Sequence, residues 1–123
     1  MPYGKKKWAF AAGHIPLLST GKEPDFTSHD KLAILNASTN DAEVSMTILF
    51  EDRAPLGEYK LKVKGRRARK VWINDLIDPL PVPLDTPYSV LVSANVEVIV
   101  QFSRMVTSSR AATGFVVTPY HAD

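Results

Sequence analysis

Cysteine is absent from the 123 residues. That absence excludes a disulfide scaffold, a thiol nucleophile and any thiolate metal site, and it suits a reducing, cytoplasmic setting. Long apolar runs are missing too: stretches such as LAIL at 32–35 fall far short of the ~20 residues a spanning helix needs. The opening MPYGKKKWAFAAGHIP sets lysines ahead of a short apolar stretch, Trp8 to Ala12. This is shorter than the ~7–15 residues of a secretory core and reads instead as a basic arm entering a first strand. The six glycines are scattered and form no phosphate-cradling loop. No serine sits in a GxSxG elbow. No window holds a sustained helical period, and nine prolines would interrupt most long helices.

Metal chemistry has little to start from. The histidines are His14, His29 and His121, with neither HxH nor HxxxH spacing. A His/carboxylate site would have to join His14 and His29 to Glu23 or Asp25 across separated segments. A rim of surface side chains accounts for the same residues, and no metal or cofactor is assigned. Asp75, Asp78 and Asp85 could be drawn as an acid–base pair. Their other role is turn making, with Asx side chains bonding nearby backbone N–H groups.

What the chain does have is a period of two. Val44, Met46, Ile48 and Phe50 fall on one face, as do Tyr59, Leu61 and Val63 against Lys60, Lys62 and Lys64. Val96, Val98, Val100 and Phe102 form another such face, and Phe115 with Val117 a short one. These segments are rich in the β-branched and aromatic residues that strands favour. Turn signals separate them at STND (38–41), RAPLG (53–57), Gly65, SAN (93–95) and TSSRAATG (107–114). The pattern predicts an all-β fold of about eight short strands, mostly antiparallel, a β-sandwich or barrel in one domain, residues 1–123. NDLIDPLPVPLDTPY at 74–88 reads as the long crossing connection of a Greek-key or jelly-roll sandwich, its prolines holding an extended path.

Charge is unevenly spread. KLKVKGRRARK at 60–70 carries seven of the fifteen Lys and Arg, leaving eight basic against thirteen acidic residues elsewhere, or −5. The stretch predicts a basic hairpin turning at Gly65, with Val71 and Ile73 returning to the core. Such a patch can meet carboxylate or phosphate, and nucleic acid would gain through counterion release. Lysines on strand edges also block edge-to-edge aggregation without any partner.

Several strings then coincide: Trp8 with Gly13-x-Ile15-Pro16; Glu23-Pro24-x-Phe26-x-Ser28-His29; Leu35-Asn36-Ala37; Asp52 with Pro55-x-Gly57-x-Tyr59-x-Leu61-x-Val63; Arg66-Arg67; Asn74-Asp75-Leu76-x-Asp78-Pro79-x-Pro81-x-Pro83-x-Asp85-Thr86; Asn95-Val96; and Gln101-x-x-Arg104. With these the chain resembles the soluble sensory rhodopsin transducer family, nearly end to end. The resemblance implies a jelly-roll β-sandwich, a cytoplasmic homotetramer and no enzymatic activity. It implies a partner at the cytoplasmic face of a membrane photoreceptor, with DNA and sugar-like small molecules as further ligands. The sequence departs from the family pattern at Leu84 and Phe102, where histidines are usual, and at MVTSSR after Arg104, which lacks an acidic residue.

The resulting expectation is a non-enzymatic signal transducer or adaptor. The alternative is a carbohydrate- or sugar-acid-binding module unrelated to light, with Trp8 or Trp72 stacking on the sugar. Lys64, Arg66, Arg67, Arg69 and Lys70 form the expected anion- or partner-binding patch. Glu23, Ser28, His29, Asn36, Gln101 and Arg104 are the polar candidates for a ligand pocket or a subunit seam, since buried polar groups must find partners in either.

Overall fold

The structure is a computed structural model that describes residues 2–15, 29–77, 79–84, 86–106 and 113–122. Within these residues the chain forms eight strands: β1 (Lys5–Gly13), β2 (His29–Asn36), β3 (Ala42–Leu49), β4 (Leu56–Val63), β5 (Arg67–Trp72), β6 (Tyr88–Val106), β7 (Thr113–Val117) and β8 (Tyr120–Ala122). A single 3₁₀ turn, Ile73–Asp75, follows β5. Every pairing is antiparallel. One layer runs β4-β3-β6-β1-β8 and the other β5-β2-β6-β7. This is an all-β sandwich, one of the two architectures that the alternation predicts and the one that the resemblance implies. No helix among the described residues is long and apolar enough to cross a membrane.

The two layers share β6. Its first half pairs with β1 and β3, and its second half, from Ile99, pairs with β2 and then β7. The change of layer falls where β1 pairs Lys7 with Ser93 and Lys5 with Val98. Four residues of β6 there oppose one of β1, a bulge of the kind that turns a strand through a sandwich corner. The predicted SAN turn at 93–95 is therefore corrected: it lies inside a continuous 19-residue strand. Asn95 serves another purpose there, its Oδ1 accepting the Glu43 N–H at 2.8 Å.

Even-numbered residues of β6 face inward from Tyr88 to Phe102, and together with Leu32, Ile34, Val44, Met46, Ile48 and Tyr59 they fill the core. Each buried side chain of this size contributes roughly 1.5–3 kcal/mol of transfer free energy. Phe10 on β1 stacks on Phe102 on β6 at 3.7 Å between ring centroids, joining the layers. Phe102 is fully buried, which gives a packing reason for an apolar ring at one of the two positions that depart from the family pattern. The proline connection leans on the core through Val82, and the Tyr59 hydroxyl donates to the Leu80 carbonyl.

The predicted basic hairpin is also corrected. Among the described residues β4 pairs only with β3 and β5 only with β2, so residues 64–66 carry the chain from the edge of one layer to the edge of the other. The corner is bound to the β2–β3 turn: Gly65 N–H donates to Asp41 Oδ1, Arg66 N–H to the Ser38 carbonyl, and Arg66 Nη1 to the Ala37 carbonyl. Gly65 is needed for close approach, because a Cβ there would lie 2.5 Å from the Thr39 carbonyl oxygen.

Candidate functional site

An aspartate occupies an inward position of β2 where the period calls for an apolar side chain: Asp30 precedes Leu32, Ile34 and Asn36 on the buried face. Its carboxylate is fully buried and collects four bonds. Oδ1 accepts from Arg104 Nε at 2.9 Å; Oδ2 accepts from the Tyr88 hydroxyl at 2.6 Å, the His14 N–H at 2.9 Å and Arg104 Nη2 at 3.4 Å. Oδ2 takes three of these donors and Oδ1 one. Arg104 Nη2 also donates to the Ala12 carbonyl at 2.7 Å, and its guanidinium lies over the Phe102 and Phe115 rings. The network joins both halves of β6 to β2 and to the end of β1.

Burial pushes the Tyr88 hydroxyl far above its ordinary value, and the charge and hydrogen bond of Asp30 push it the same way, with Arg104 only partly opposing them. Tyr88 therefore stays protonated and donates. A buried carboxylate held by an arginine, a tyrosine and a backbone N–H ties the end of the sandwich together.

His29 and Trp72 lie beside this network on the outer side of the second layer, their rings stacked at 3.7 Å and 5°. Trp72 is half-buried, with one face of its ring on His29. Trp8 is buried, with Nε1 donating to the Lys5 carbonyl, and presents no face to a sugar.

The six polar candidates are not gathered in one place. Glu23 and Ser28 lie outside the described residues, as do Asp78 and Asp85. Arg104 points inward to Asp30 and His29 lies next to it on β2. Gln101 pairs with Ala33 on the outer face, opposite in parity to Arg104. Asn36 is fully buried at the far end of β2. Its Nδ2 donates to the Asn40 and Val63 carbonyls, and its Oδ1 accepts from the Ser38 N–H and hydroxyl. Asp30 was the residue that sequence reasoning missed as a centre; a charged residue in phase with apolar neighbours was the available signal.

The basic residues divide in a similar way. Lys64, Arg66 and Arg67 are exposed at the corner, and Lys70 faces outward beside Ala33. Arg69 has the opposite parity and crosses the open side of the sandwich, where Nη1 donates to the Lys62 carbonyl at 2.9 Å. Behind it a cleft of about 270 Å³ runs between β4 and β5. A larger groove of about 390 Å³ lies on the outer face of the first layer, with Ser45, Thr47, Glu58, Leu91 and Tyr120 among its lining residues. Among the described residues no three His, Asp or Glu side chains gather as metal ligands.

Known proteins give this geometry a context. No curated protein matches the chain. The family described as ASRT, Anabaena sensory rhodopsin transducer, matches residues 3–121. Among solved structures, the Anabaena sensory rhodopsin transducer is 41% identical, with a TM-score of 0.75, covering 83% of this chain and 96% of its own. Thermotoga maritima 1070 is 29% identical, with a TM-score of 0.83 and coverage of 98% and 97%. The chain belongs to the Anabaena sensory rhodopsin transducer family.

Proposed function

We propose that this protein is a non-enzymatic, soluble, cytoplasmic signal transducer, a single sandwich domain assembled as a homotetramer. It docks on the cytoplasmic face of a membrane photoreceptor of the sensory rhodopsin kind. The observation that carries this reading is the family match over residues 3–121. The basic corner supports a place of contact. Lys64 and Arg67 are exposed, and among the described residues no carboxylate pairs with either. An acidic cytoplasmic loop is the complement such a corner would steer and hold.

Binding of the purified protein to a sensory rhodopsin in nanodiscs tests this directly. A complex that weakens with salt and with Lys64→Glu/Arg67→Glu is expected; no complex with the native chain at low salt overturns the reading. Light scattering should give the mass of four chains. Duplex DNA in the same assay tests the nucleic-acid alternative through its steep salt dependence.

A second reading, a carbohydrate- or sugar-acid-binding module unrelated to light, is favoured by the outer groove. Tyr120 is 74% exposed and lines it together with Ser45 and Thr47. An exposed ring with polar groups alongside suits a sugar face. Glycan-array binding lost in Tyr120→Ala supports it, and an empty array removes it.

A further inference from the structure

We infer that the cleft between β4 and β5 is a binding site for a small organic anion, a phosphate or carboxylate carried on a compact body. The cleft is a different place on the fold from the basic corner and the outer groove of the two readings above. The cleft is lined by Lys60, Arg69, Lys70, Trp72 and Asp75, over Leu61, Val71 and Leu76. The lining holds three cations and one carboxylate, and among the described residues none of the three is ion-paired with an acid. Elsewhere on the same strand, Lys62 has an acid partner in Glu43 at 3.7 Å.

The backbone adds to the charge. Among the described residues β4 and β5 each pair on one side only, so the cleft lies between two free strand edges. The Lys62 carbonyl points into that gap, since Arg69 reaches it from β5. Lys60 stands two residues away in unbroken register with β3, so its N–H and C=O face the same gap. A free N–H beside three cations is an anion-binding arrangement. The half-buried Leu61, Val71, Leu76 and Trp72 give the body of the ligand an apolar wall. At about 270 Å³ the space suits a small metabolite, near the lower end of ligand pockets, which run from about 300 to 1,000 Å³.

Cations that serve only to keep strand edges apart would give no such selectivity. The test uses ¹⁵N–¹H NMR of the full chain, which has two indole signals, from Trp8 and Trp72; Trp72→Phe assigns them. Glucose 6-phosphate, inorganic phosphate and glucose are titrated separately. Glucose 6-phosphate should move the Trp72 signal with saturation and leave Trp8 in place. Phosphate should bind more weakly and glucose not at all. Lys70→Gln and Lys60→Gln, both exposed, should leave the urea midpoint unchanged. Each should weaken glucose 6-phosphate binding by about tenfold, the loss of one charge-assisted contact. No saturable shift with glucose 6-phosphate or phosphate, equal binding of glucose, or undiminished binding in both variants would each overturn the proposal.

Discussion

Asp30 and Arg104 stand directly opposite each other on β2 and β6, with Arg104 Nε 2.9 Å from Asp30 Oδ1. Asp30 is buried and Arg104 largely so. Removing one partner leaves the other without its counter-charge. Asp30→Ala and Arg104→Met should each lower stability by about 3 kcal/mol. The double variant should lose clearly less than the sum. Urea unfolding of the four proteins completes the cycle, and strictly additive losses would show that the pair does not act as a unit.

Tyr88 gives the network a dependence on alkali. Its hydroxyl is raised by burial and by Asp30, and Tyr59 is raised by burial as well. A raised folded-state value means the native protein keeps protons that unfolded tyrosines release near pH 10. Their contribution is complete below that pH and is lost as pH rises above it. The urea midpoint should fall above about pH 10, and Tyr88→Phe should make that fall shallower. A native midpoint that held steady or rose above pH 10 would count against the assignment.

The corner at residues 64–66 offers a steric test. A methyl at Gly65 meets the Thr39 carbonyl oxygen at 2.5 Å and its carbon at 2.7 Å, both backbone atoms. Gly65→Ala should cost about 1–3 kcal/mol, as overpacking does. The exposed neighbour Lys64 should accept alanine within about 0.5 kcal/mol. Thermal melts of both variants separate a close approach from a general sensitivity of the corner.

Charge reversal at the same corner should separate folding from recognition. Lys64→Glu/Arg67→Glu should melt within a few degrees of the native protein, because both side chains are exposed. It should nevertheless lose most of its affinity for an acidic partner. Circular dichroism beside the nanodisc measurement reads both quantities on one sample.

The alternation of β3 and β4 was legible because a half-buried strand writes its faces into every second residue. The same parity runs unbroken from Tyr88 to Phe102, and it could have overruled the turn-like Ser93-Ala94-Asn95. Composition outweighed period there. The basic stretch misled for another reason: parity tells which face a residue takes but not which layer its strand joins. Lys60 and Lys70 thus read as one hairpin, although they belong to different sheets. The polar candidates were chosen by residue type along the chain. The network at Asp30 depends on Tyr88 and Arg104, 58 and 74 residues away, a separation that no local window spans.

A shared β6 also has a mechanical meaning. One ribbon is the inner member of both leaves, so neither leaf can fray open while the other stays closed. Deuterium should enter the amides of Val92 and Val100 through a single shared opening event, and the molecule should come apart as one piece.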